Sequence, residues 1–449
     1  MRLSKVRCAA NALLILVAVS RLHAGQAAQS LSSPASTATS QSSEELKFVV
    51  IVSRHGVRSP TGKTDQLNRY STRPWPVWSV PPGYLTEHGA KLMTLFGMYD
   101  RALLVKQGLL SADGCADAKR VSIIADSDQR TRETGKALAA GLLPGCSVEV
   151  HALAEGIADP LFHSLAAGVG HPDKQLATAA VSGRIGNNPA GLIEAYRPQL
   201  QAMEEILLAC KPDTQCGGNG VAAASSLFDL PSSISPGKSD HLVDLRSPLS
   251  TAATMAENLL LEYTEGMDKA LVGWGVMDGN KVRELMQLHT GSADIERRTS
   301  YLARAQASNL LSHILDSMQQ AATGKPVAGA LSKLSDRLLI LVSHDTNLTN
   351  ISGALDLSWL IDGRRDDTPP GGALIFELWQ NGGKNEYEVR TFYSAQTLEQ
   401  MRNATPLSVG NPPERVPVFV PGCGQADGTC EWSGFRHAVE AGIDSQFVK

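Results

Sequence analysis

The 449-residue sequence predicts an α/β fold: a central, mainly parallel sheet flanked by helices, with a mostly α-helical domain inserted into it. Three observations carry that reading. Short apolar runs, broken only by Ser122, recur at 48–52, 121–125 and 338–342, and each ends in polar or charged residues. Near-continuous runs of this length suit strands covered on both faces, as parallel strands are. Helical periodicity follows the second and third runs, at 134–142 and 348–355, which is the order of strand-then-helix units. Between about 165 and 324 the strand-like runs stop and helical stripes replace them: Leu310, Leu311, Ile314, Leu315 and Met318 share one helical face, as do Leu200, Met203, Ile206 and Leu207.

Taken in order, residues 1–28 read as a secretory signal peptide. Arg2, Lys5 and Arg7 form a basic start, an apolar stretch runs from Ala9 to Val19, and Ala24 and Ala27 offer small residues for cleavage. The apolar stretch is too short for a stable membrane span, which needs about 20 residues. Residues 29–45 are rich in Ser, Thr, Ala and Gln and are expected to be a disordered leader. The α/β core then occupies 46–164, the helical domain 165–324, with the Pro/Gly/Ser-rich stretch 230–238 as one of its loops, and the core resumes over 325–449. There the run 373–378 is expected to complete the sheet.

Charge and cysteine usage bound the function classes. Removing 1–28 takes away Arg2, Lys5, Arg7 and Arg21 and no acidic residue, moving the formal net charge from −4 to −8. An acidic chain of this kind is not expected to bind nucleic acid. Six cysteines remain after Cys8 is removed. An even count in an exported chain favours disulfides, although six cysteines allow many pairings. Cys210 with Cys216 and Cys423 with Cys430 each close a short polar loop, which leaves Cys115 with Cys146. A zinc site would need a CxxC or HxxxH spacing, and none is present.

The three runs deliver ionisable residues at their carboxyl ends: Arg54-His55, then Asp126 to Arg130, then His344-Asp345. That edge is where open α/β sheets bind ligands, and helix N-termini there favour an anion. In Arg54-His55-Gly56-Val57-Arg58-Ser59-Pro60, a neutral imidazole can attack a phosphate ester without the repulsion an anion would meet, forming a phospho-imidazole. Two adjacent arginines can stabilise the equatorial oxygens. Gly56 is read as allowing the backbone close to the phosphate.

These residues resemble the histidine acid phosphatases, branch 2 of the histidine phosphatase superfamily, and within it the bacterial periplasmic phytases and glucose-1-phosphatase. The likeness rests on Arg54-His55-Gly56-x-Arg58-x-Pro60, Asp126-x-Asp128-x-Arg130-Thr131-Arg132, His344-Asp345-Thr346-Asn347-Leu348 and Thr368-Pro369-Pro370-Gly371-Gly372, and it spans about 46–435. It implies a phosphoglycerate mutase-like core with an inserted helical domain. It also implies a periplasmic or secreted enzyme that hydrolyses inositol phosphates or sugar phosphates without metal or cofactor. His55 would be the nucleophile and Asp345 the acid for the leaving oxygen, with Arg54, Arg58, Arg130 and His344 on the phosphate. Thr346, Lys63 and His289 are candidates for holding phosphates beyond the first, and Arg132 is read as structural. Two features depart from the phytases: Gly62 precedes Lys63, and no acidic residue of the segment after Met267 matches one expected there.

Rival readings are a sugar-phosphate phosphatase of glucose-1-phosphatase type, a mutase, which export opposes, and a non-catalytic phospholigand binder, which would have lost His55 or Asp345. No Walker loop occurs, and Arg130 stands where a haloacid dehalogenase motif needs Thr or Val.

Overall fold

The computed structural model describes residues 44–62, 64–208, 225–382 and 386–449. The signal peptide, nearly all of the leader, Lys63, Cys210 and Cys216 lie outside the described residues.

The strands of the main sheet are β1 (Glu45–Arg54), β2 (Val121–Ala125), β3 (Val150–His151), β4 (Leu338–Ser343), β5 (Ala373–Gln380), β6 (Tyr387–Ala395), β7 (Glu414–Pro417) and β8 (Thr429–Glu431). Their order is β7-β6-β5-β1-β4-β2-β3, with β8 also pairing β6. The half that carries the polar strand ends is parallel throughout: β1 with β4, β4 with β2, and β2 with β3. From β5 onward the sheet continues antiparallel, so 373–378 does complete it, beside β1.

Side chains alternate between two buried faces, as the two-residue period of a strand demands. Phe48, Val50, Val52, Leu339 and Leu341 pack with α5 (Ser300–Thr323), α6 (Asp345–Leu355) and the C-terminal helix Trp432–Gly442. Val49, Ile51, Leu338, Ile340 and Val342 pack with α1 (Glu87–Lys106) and α2 (Gln129–Leu142). With helices on both sides, alternation of polar and apolar residues has no use, and the runs read as near-continuously apolar.

A second apolar cluster gathers the helices Lys174–Arg184 and Arg197–Leu208 with α3 (Pro248–Thr264) and α4 (Gly279–Arg297). Helix α5 bridges the two: Leu302 and Ala305 join this cluster, whereas Leu310, Leu311, Ile314 and Met318 lie on the sheet. Local signals start these helices. Ser247 caps α3 ahead of Pro248, and the Asp278 side chain accepts from the Lys281 N–H at the start of α4. The stretch 230–238 is not simply a loop: Ser233–Pro236 pairs with Val243–Arg246 as a two-stranded hairpin.

Two disulfides join the pairs expected from the sequence, Cys115–Cys146 and Cys423–Cys430. Among the described residues no helix is long and apolar enough to cross a membrane.

Candidate active site

The register of the sheet brings the strand ends level. Arg54 pairs with Ser343, and Ala125 with Val342, so His55, Asp126 and His344 all emerge at one edge. The His55 N–H donates to Ser343 O at 2.9 Å and the Asp126 N–H to Val342 O at 3.0 Å, which ties the departing chains together. Both following helices begin sooner than their apolar periodicity indicates. Helix α2 starts at Gln129 and α6 at Asp345, so Arg130 and Asp345 stand in first turns.

His55 is buried, and its Nδ1 lies 2.8 Å from Gly56 O. A carbonyl oxygen only accepts, so Nδ1 carries the proton and Nε2 keeps its lone pair. Burial, then the charges of Arg54, Arg58 and Arg130, push the imidazole well below its ordinary range. The ring therefore stays neutral in acid. Gly56 has a role other than the one read from the sequence: a Cβ there would meet Met93 Cγ at 2.8 Å and Gly89 O at 3.0 Å on α1. Its missing side chain lets α1 close on the end of β1.

Arg54 is fully buried, donates to Thr368 O at 2.6 Å and pairs with Glu257 of α3. Arg58 reaches the same Glu257 oxygen at 3.2 Å. One carboxylate thus braces both arginines. Burial works to raise Glu257, but Arg58 and Arg54 hold it down to about 2, so it is an anion throughout the working range. The Nε atoms of Arg54, Arg58 and Arg130 are buried and have no hydrogen-bond partner among the described residues. The charges of the same three arginines all act on the one imidazole, which favours an anion beside it.

Arg130 donates to Asp128 at 2.5 Å and to His344 Nδ1 at 3.3 Å. Since an arginine cannot accept, the other ring nitrogen, Nε2, bears the hydrogen and donates to Asp126 at 2.5 Å. His163 Nε2 approaches the same Asp126 oxygen at 2.9 Å. Both nitrogens of His344 are engaged within the protein, where they orient Arg130. The side-chain atoms of Asp126, Asp128, His163 and His344 lie within 4.8 Å of one another, and their hydrogen bonds are spent within this cluster and on Arg130.

Asp345 is buried against Arg297, at the end of α4, and His289 Nε2 lies 3.9 Å from the same carboxylate oxygen. Burial works to raise this carboxyl, but Arg297, Arg54 and His289 outweigh it and hold it well below the usual carboxylate range. His55, Arg58, Arg130, His344, Asp345 and Thr346 line a cavity of about 420 Å³, whereas Arg54 braces it from behind. Arg132 faces away toward Glu155, 3.8 Å distant.

The chain as a whole has counterparts among known proteins. The model of the histidine phosphatase superfamily (branch 2) matches residues 45–209 and 261–394. The chain belongs to that family. It is 37% identical to phytase AppA of Escherichia coli over 90% of this chain and 94% of that protein. It is 28% identical to glucose-1-phosphatase of Salmonella typhimurium over 91% of this chain and 95% of that one. Among solved structures, the phytase of Hafnia alvei in complex with tartrate superposes with a TM-score of 0.81 at 33% identity, covering 90% of this chain and 99% of that one. The same phytase is also known in complex with myo-inositol hexakis sulphate, with a TM-score of 0.79. The resemblance read from 54–60 and 344–348 therefore holds, and with it the assignment as a histidine acid phosphatase.

Four residues of this histidine phosphatase site escaped the sequence reading as functional groups: Glu257, Arg297, Asp126 and His163. Glu257 stands ahead of Met267, in a stretch the family model does not match. Its signal was an acid next to Ala256 in a helix that is otherwise mostly buried. Arg297, followed by Arg298 at a helix end, looks like ordinary C-terminal charge.

Proposed function

We propose that this protein is an exported phosphomonoesterase that works through a phosphohistidine, with inositol hexakisphosphate as its preferred substrate. The observation that carries the chemistry is His55: buried, neutral, its Nδ1 proton fixed on Gly56 O and its Nε2 free among three arginines. Nε2 attacks phosphorus in line with the leaving oxygen, while Arg54, Arg58 and Arg130 balance the charge on the equatorial oxygens. Asp345 gives its proton to the leaving oxygen, then takes one from the water that cleaves the phosphohistidine. His344, held by Asp126, keeps Arg130 aimed at the phosphate.

The substrate reading is supported by the likeness to phytase AppA and to the Hafnia alvei phytase, and by Thr346 and His289 at and beside the cavity, where further phosphates need donors. Export to the periplasm or beyond is supported by residues 1–28 and by two disulfides. The helical segment 165–324 is read as the inserted domain that carries Glu257, His289 and Arg297 to the cleft. Purified mature protein assayed in parallel on inositol hexakisphosphate, glucose 1-phosphate and 4-nitrophenyl phosphate tests the substrate. A higher kcat/KM on glucose 1-phosphate than on the hexakisphosphate would refute the phytase reading and leave the phosphatase chemistry standing.

A further inference from the structure

The proposed mechanism asks Asp345 to carry a proton, yet a cation rests on its carboxylate. Groups from five elements face it: Arg297 and His289 from α4, Arg54 from β1, Arg130 from α2, Glu257 from α3 and Tyr393 from β6. Most of these are fixed. Arg54 is bound to Thr368 O and Glu257 and has no exposed surface, and Arg130 is held by Asp128 and His344.

Arg297 differs. Its pair with Asp345 is the one hydrogen bond or ion pair its side chain makes among the described residues. Its side chain is 30% exposed, against 11% for Asp345. The neighbouring Arg298 anchors the helix end by donating to Leu357 O at 2.7 Å and pairing with Asp366 at 3.1 Å, so Arg297 can swing without moving the backbone. It also stands between two spaces, lining both the cavity of His55 and an adjoining one of about 280 Å³ with Glu257 and His289.

We propose that Arg297 is a switchable counter-ion of Asp345: it neutralises the carboxylate in the free enzyme and turns onto a second phosphate of the bound substrate, which selects for polyphosphorylated esters. The inference rests on the phosphatase reading above and adds a positioning residue to it. A phosphate offers a guanidinium more charge and more acceptor oxygens than a carboxylate does. Once Arg297 leaves, burial is opposed only by Arg54 and His289, and the carboxyl takes up a proton more readily. As the His55 Nε2–P bond forms and the P–O bond to the alcohol breaks, that proton moves to the leaving oxygen. Asp345 is left an anion, and Arg297 has its partner again. A monophosphate lacks the second group and finds Asp345 mostly ionised.

The test compares glucose 1,6-bisphosphate with glucose 1-phosphate, following cleavage at C1, so that the leaving oxygen is shared and only the second phosphate differs. In Arg297→Gln the ratio of kcat/KM for the bisphosphate to that for the monophosphate is expected to fall by about tenfold or more. The basic limb of the kcat/KM profile on the monophosphate, which reports the free enzyme, moves to higher pH in the same variant. Arg297→Lys, which keeps the charge, returns the limb toward the parent position. An unchanged ratio, or a limb that stays in place, overturns the inference, whatever happens to the overall rate. The two proposals fail separately: poor hydrolysis of inositol hexakisphosphate by the parent enzyme removes the substrate proposed above, while the ratio and the limb still decide the role of Arg297.

Discussion

Glu257→Gln isolates the brace behind the phosphate site, because it keeps the shape of the side chain and removes its charge. Arg54 and Arg58 would then lie buried against a neutral amide. At 3.2 Å and an effective dielectric of ~20, the attraction between Arg58 and Glu257 alone is about 5 kcal/mol. Desolvation of the pair offsets much of this in the parent, but not the cost of leaving a charge buried alone, which is roughly 3–5 kcal/mol. The free variant should therefore lose stability by roughly that amount. Inorganic phosphate, which supplies the missing negative charge, should bind about tenfold more tightly or better, since ~1.4 kcal/mol corresponds to a factor of ten. Saturating phosphate should then recover stability in proportion to its tighter binding. Denaturant unfolding with and without phosphate, together with calorimetric titration of phosphate, reads both effects. A variant as stable as the parent, with an unchanged phosphate affinity, would refute the view that one carboxylate balances the two arginines.

Two further outcomes follow from the same electrostatics. Asp345→Asn should slow an inositol or sugar phosphate far more than 4-nitrophenyl phosphate, because an alkoxide needs a proton as it departs and a nitrophenolate hardly does; equal losses in steady-state assays would show that Asp345 is not the acid. Burial pushes Glu262 up to about 8, against the backbone hydrogen bond it accepts from the Gly273 N–H. The folded state thus holds a proton that the unfolded state releases near 4.5, and stability falls as pH rises from about 4.5 toward 8, by about 5 kcal/mol at most. Glu262→Gln should remove that loss, gaining stability at pH 8 with little change at pH 5; melting curves that shift equally at both pH values would contradict it.

The legibility of the sequence varied with the range over which each feature is specified. Strands β1, β2 and β4 were plain because their neighbours on both faces are apolar, so nearly every residue in the runs is apolar too, the exception within them, Ser122, donating to Asp336 at 2.7 Å. The starts of α2 and α6 were placed late, since their first turns hold polar residues that face the cleft rather than the core: Arg130, then Asp345 and Thr346. Gly56 was visible as a glycine, but its reason lies in Met93 and Gly89 of a helix that begins 31 residues later. Residues 54–60 and 344–348 were readable because both partners of each piece of chemistry sit in one short segment. Glu257 and Arg297 were not: each meets its partner across 203 and 48 residues of chain, and neither sits in a local pattern that differs from an ordinary charged position on a helix. His163 joined the site by the same route, reaching Asp126 from the loop after β3.

The covalent step is the centre of the account, and acid quench during steady-state turnover of a labelled phosphate ester tests it most directly. The mature enzyme should yield label on the peptide that contains His55, surviving alkaline hydrolysis as phosphohistidine and released by mild acid as inorganic phosphate, and His55→Ala should show neither label nor turnover while melting as a folded protein does. Turnover retained in His55→Ala, or label carried on another residue, would contradict the nucleophile that the burial, tautomer and arginine shell of His55 assign.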